Sequence, residues 1–269
     1  MEKKLNILSI AYLLFLILLL LSGSLSGVIS DIIYFLAFII PLAFGLISTR
    51  DEGVERGRFL TLDSEGFKRT LPVIFPTVSL VIILSYLTAL LIRLITGRTN
   101  QVDVGDSFIL ALINHALLPA ILEEALFRYL PMRLLSRHSK RGAVLISAFF
   151  FSLIHLDLFT IPYAFVAGII FMTLDITLDS VIPSVIIHFI NNALSVSLII
   201  FADNPAFSPT LFVITGILAL LSLVSIIGGD YYKNKLPQIF KKGGEEAKVT
   251  IPMLIFATFT LFFAIISIL

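Results

Sequence analysis

The chain has 269 residues, of which 58% are hydrophobic and only 14% charged, with a net charge of +1. That balance excludes a water-soluble domain and points to a polytopic membrane protein. With no cysteine, disulfides, a thiol nucleophile, thiolate metal sites and palmitoylation are excluded, and no basic tract suggests nucleic-acid binding.

Apolar runs bounded by turn or charge signals predict an all-α bundle of eight or nine transmembrane spans. In chain order they cover about 5–22, 29–49, 71–96, 107–134, 142–157, 160–178, 181–202, 209–228 and 250–268. Lys3 and Lys4 before the first run resemble the start of a signal peptide, but the run is long for one, and an uncleaved first span is the reading preferred. Pro162 interrupts the sixth segment, which ends in Asp175 and Asp179. No soluble domain or internal repeat divides the chain, so residues 1–269 are read as one membrane domain, with 107–202 as its core spans.

Basic residues alternate across the loops. Lys3 and Lys4 precede the first span. Arg50, Arg56, Arg58, Lys68 and Arg69 follow the second, and Arg133, Arg137, Lys140 and Arg141 follow the fourth. Lys233, Lys235, Lys241, Lys242 and Lys248 precede the last. The loop at 97–106 has only Arg98. The positive-inside rule puts the N-terminus and the basic loops in the cytoplasm and the C-terminus outside. The acidic turn at Asp179 is assigned to the cytoplasm without a basic residue of its own.

Three of these spans carry polar residues that hydrocarbon tolerates only at a cost of several kcal/mol. Glu123 and Glu124 are adjacent in the fourth, with Arg128 four residues after Glu124 and placed to pair with it along one face. Glu123 points about 100° away and has no local cation. Phe151 and His155 share a face in the fifth, as do His188 and Asn192 in the seventh, with Asn191 close by. The rise of a helix sets Glu123 about 10–15 Å, His155 about 20 Å and His188 about 10 Å from the cytoplasmic ends of their spans. The depths therefore allow all three to meet in one site. A carboxylate and an imidazole there can deprotonate water, and an imidazole with an amide can stabilise an oxyanion. Two Glu and two His are also respectable Zn²⁺ ligands, although no span has the usual paired-histidine spacing. His115, two turns before Glu123, is read as a helix–helix hydrogen-bonding residue, and His138 as solvated. Asp157, Asp175, Asp179 and Asp203 are read as turn or cap residues.

The ordered set Glu-Glu-x-x-x-Arg (123–128), Phe-x-x-x-His (151–155) and His-x-x-x-Asn (188–192) resembles the signature of the CAAX protease and bacteriocin-processing family. That family, also called Abi, includes the type II CAAX prenyl endopeptidases. The resemblance implies an all-α bundle around a conical cavity open to the cytosol and the lipid. It implies a glutamate-dependent intramembrane endopeptidase needing no metal or cofactor. In that scheme Glu123 and His155 activate water, Glu124 is supported by Arg128, Phe151 belongs to the second motif, and His188 with Asn192 forms the oxyanion hole. Tyr129 stands where that family often has Gly. The expected substrate is a membrane-embedded or lipidated peptide; a metal-dependent membrane hydrolase, or a non-catalytic transporter or immunity protein, is the alternative.

Overall fold

In the computed structural model the described residues are 1–50, 59–97, 107–201, 210, 213–214, 216–218, 220, 236–241 and 249–266. The expected span at 209–228 falls largely outside them, as do Asp203 and the basic residues Arg56, Arg58, Arg98, Lys233, Lys235, Lys242 and Lys248.

Nine helices are named here: α1 (Glu2–Gly23), α2 (Gly27–Ser48), α3 (Ser64–Thr96), α4 (Phe108–Leu135), α5 (Lys140–Leu153), α6 (Ile161–Leu178), α7 (Ile182–Ile200), α8 (Leu236–Phe240) and α9 (Ile251–Ile266). Six of them, α1–α4, α6 and α7, are long and apolar enough to cross a membrane. α3 and α2 turn rows of Ile and Leu outward, as a lipid-facing surface requires. Pro162 does not interrupt α6. It occupies the first turn, where a missing N–H costs nothing and the fixed φ favours a helix.

The segment expected at 142–157 is the shorter α5, whose 14 residues span about 21 Å at the ordinary rise. It ends because Leu156 takes a left-handed φ of 52° and the Asp157 carboxylate accepts the Phe159 N–H. His155 therefore sits in the turn beyond the helix rather than within it.

α4 is regular in neither half. Residues 112–117 and 125–129 form π-helical turns, with Leu118 N–H bonding to Ile113 and Leu130 N–H to Ala125. Pro119 and Pro131 follow them and explain the widening, because each lacks an N–H and would clash with the carbonyl four residues back. The carbonyls that Pro131 leaves free find side chains instead. Tyr12 Oη donates to Leu126 O, while Ser147 Oγ and Arg128 Nη1 donate to Phe127 O.

The main core packs α1, α2, the 126–135 half of α4, and α5, around Tyr12, which stacks on Phe127 and meets Phe150 at a tilt. Tyr129, where the resemblance expects Gly, is buried and meets Phe59 edge-on. A second cluster joins α3 to α6 and α7. α5 and α6 approach closely at Gly168, where an added Cβ would lie 2.8 Å from Ala148 Cα. Gly168→Ala is expected to cost about 1–3 kcal/mol, read as a lower melting temperature in detergent, because backbone must move to admit it. Gly23→Ala, which meets open space, should melt like the parent.

The basic ends lie together. Leu5 and Leu8 of α1 share a cluster with Leu134 and Leu135 of α4. Val181 N–H bonds to Phe59 O in a short parallel bridge, which puts the turn at Asp179 on the same face as the loop after α2. Asp179 itself closes α6 with φ 53° and an N–H bonded to Asp175 O.

Candidate active site

A cavity of about 510 Å³ lies between α3, α4, α6 and α7, and Glu123, His155, His188 and Asn192 all line it. Asn191 and Phe151 line it too. The second glutamate faces elsewhere. Glu124 and Arg128 are both fully buried, with Arg128 Nε 3.2 Å from Glu124 Oε2. The π-helical turn between them keeps this contact and carries the guanidinium to Phe127 O and Ser147 Oγ. Arg128 Cζ also stands 4.1 Å from the centroid of Phe151, a cation–π contact in a dry setting.

His188 joins the two layers. Its Nδ1 is 2.8 Å from Glu124 Oε1, and its Nε2 is 3.9 Å from Glu123 Oε2. With Glu124 ionised against Arg128, the imidazole donates from Nδ1, and Nε2 is left to the cavity beside Glu123. Phe151 fixes the other faces, meeting His188 at 5.8 Å and His155 at 5.2 Å between centroids. Asn191 Nδ2 donates to Asn192 Oδ1, which leaves the Asn192 amide hydrogens directed away from Asn191.

Three residues differ from the sequence expectation. His115 lines the cavity and is exposed rather than bridging helices. A regular helix would set it about 80° from Glu123, but the π-helical turn rotates less per residue and brings the two toward one side. Asp175 is a buried carboxylate within α6 rather than a cap at its end. Its Oδ1 accepts the Ser184 N–H in the first turn of α7, so it anchors the helix that carries His188. His138 is half-buried in its loop. Asp157 does fill a turn role, accepting from Phe159 N–H and Thr160 Oγ1.

Among the described residues no three His, Asp or Glu side chains are grouped as metal ligands. Both Glu124 oxygens are engaged, one with Arg128 and one with His188.

The cavity also has a direction. Its α7 lining begins at His188 and runs to Ile199, its α6 lining lies between Tyr163 and Phe171, and α4 contributes His115 beyond Glu123. Between the glutamates and the basic loop at 136–141, every residue from 126 to 135 is buried. The lining extends from Glu123 away from the loop at 136–141.

A multi-pass helical membrane protein with a polar cavity walled by a carboxylate, two imidazoles and an amide is the class that fold and site define. Residues 105–194 match the family described as Type II CAAX prenyl endopeptidase Rce1-like, the family that the three motifs resemble. The match covers α4 to α6, α7 as far as residue 194 and every residue of the three motifs, and it implies a membrane protease. Neither the curated proteins nor the solved structures gave a match.

Proposed function

We propose that the protein is an intramembrane endopeptidase of the glutamate type, hydrolysing a peptide bond in a membrane-embedded or lipidated substrate. The observation that carries this reading is the split of the glutamate pair. Glu123 faces the cavity, while Glu124 is locked behind it by Arg128 and holds His188. In this mechanism Glu123, aided by His155, takes a proton from water as the oxygen attacks the scissile carbonyl. Asn192 Nδ2 and the Nε2–H of His188 in its imidazolium form donate to the resulting oxyanion. Collapse expels the amine, which leaves with the proton held by Glu123. No metal or cofactor takes part in these steps.

The same reading includes eight or nine spans, with the N-terminus cytoplasmic and the C-terminus outside. The pairing of Ser9 with Thr250, 3.3 Å apart, supports it, because α9 then starts level with the first half of α1.

Asn192→Ala should lower kcat by about 10²–10³ with little change in KM, the usual effect of losing one oxyanion donor. Purified enzyme cleaving a membrane peptide should keep its rate in chelator. Chelator inactivation reversed by Zn²⁺, with a mild effect of Asn192→Ala, would replace this mechanism by a metal-dependent one in which His188 is a ligand.

A further inference from the structure

We infer that Asp175, which lies outside all three motifs, is a positioning residue for His188: it fixes the rotation and depth of α7, and so the place of the imidazole between the two glutamates. What His188 does depends on the peptidase reading; how it is held does not.

A carboxylate within a membrane-spanning helix is tolerated only with partners, and such residues usually serve a site. Asp175 is fully buried in the last turn of α6, and the mechanism above gives it no step. Its backbone carbonyl accepts the N–H groups of Asp179 and Ser180, and its Oδ1 accepts the Ser184 N–H at 3.2 Å. One residue thus holds both sides of the reverse turn between α6 and α7.

The start of α7 needs this outside help. The first N–H groups of a helix have no partner within it, and a Ser, Thr, Asp or Asn just before the helix usually supplies one. Val181 occupies that position, and its side chain cannot accept. Ile182 N–H goes to Ser180 Oγ, and Pro183 has no N–H to satisfy. Ser184 N–H takes the Asp175 carboxylate from nine residues back.

Ser184 and His188 stand one turn apart on the same face of α7. The Ser184 hydroxyl lies beside the carboxylates of both Asp175 and Glu124, and His188 Nδ1 meets Glu124 Oε1 at 2.8 Å. Phe171, one turn before Asp175, lies against both Arg128 and His188 and ties α6 to the same buried layer. On the cavity side, His188 Nε2 is 3.9 Å from Glu123 Oε2. A slip of α7 therefore alters the distances at the reacting atoms, and a displacement of about 1 Å can cost about 10²-fold in rate. Asp175 acts as an acceptor. Its Oδ2 makes no hydrogen bond to a described residue, so an amide oxygen at the Oδ1 position can replace it.

Asp175→Ala is expected to lower kcat about 10–100-fold with little change in KM, measured well below its melting temperature. Asp175→Asn should keep most of the parental rate. Gly168→Ala, which strains α6 against α5 away from the cavity, controls for lost stability: at a comparable drop in melting temperature it should keep kcat. A second readout needs no turnover. The chain has four histidines, so the Nδ1 proton of His188 can be followed by NMR with isotope-labelled histidine and assigned by its loss in His188→Gln. That resonance should move in Asp175→Ala and return in Asp175→Asn. Should Asp175→Ala not fold, Ser184→Ala keeps the N–H, removes only the hydroxyl between the carboxylates, and should move the same resonance and lower kcat severalfold. Parental kcat in Asp175→Ala, or in Ser184→Ala where that stands in, overturns the role. So does an equal loss in Asp175→Asn or Gly168→Ala, or a His188 resonance that stays in place. A protein that cleaves nothing yet shows the expected shifts loses the peptidase reading and keeps this one.

Discussion

Glu123→Gln is expected to lose kcat by about 10²–10⁴ while folding normally, the scale of a missing general base. The substitution keeps shape and volume and removes only the basic oxygen. It breaks no tight pair, because the closest ionic neighbour of Glu123 is His188 Nε2 at 3.9 Å. The neighbouring Glu124→Gln should differ: it disturbs the 3.2 Å contact to Arg128 and the 2.8 Å contact to His188 together, so melting temperature and turnover should both fall. Single-turnover cleavage of a membrane peptide beside a melting curve separates the two. Near-parental turnover by well-folded Glu123→Gln would end the case for a glutamate base.

Arg128→Ala should be the most destabilising single change in the site. It strands the fully buried Glu124 carboxylate, a loss of about 3–5 kcal/mol for one partner of a buried pair. It also empties the space beside Phe151 and removes a donor from the Phe127 carbonyl that Pro131 leaves open. Glu124→Gln combined with Arg128→Met should recover part of the loss, because it removes both charges and refills the volume. A thermal melt of Arg128→Ala that overlays the parent would mean that the pair contributes nothing to the fold.

Much of the architecture could be read from hydropathy and charge. Long apolar runs predict helices because nothing else satisfies backbone in lipid, and α1–α4, α6 and α7 appear where expected. The motif residues were legible because a carboxylate or imidazole in such a run demands a partner. Local irregularity was not. The sequence Phe-Phe-Phe-Ser-Leu-Ile-His-Leu reads as continuous helix, and only the left-handed Leu156 and the Asp157 turn end α5 before His155. His115 was assigned to a helix interface by regular geometry, which the π-helical turn at 112–117 overrides. Asp175 resembled a span-end residue until Ser184, nine positions on, supplied its N–H partner. Pro119, which follows the turn at 112–117, was the available signal for the second of these errors.

The two wide turns of α4 carry a consequence for how such a site arises. A π-helical turn is one residue more than an α-helix needs to cover the same rise, so it behaves as a single-codon insertion absorbed without breaking the rod. Removing one residue near 125–130 would take out the extra residue of the turn and rotate everything before it relative to everything after. The glutamates lie between the two insertions, and their heading relative to either end of α4 is set by both. Single-residue length changes in this helix are therefore a coarser dial than substitutions. They re-aim the carboxylate pair as a block, and a lineage could gain or lose the reaction by one such step while keeping every motif residue.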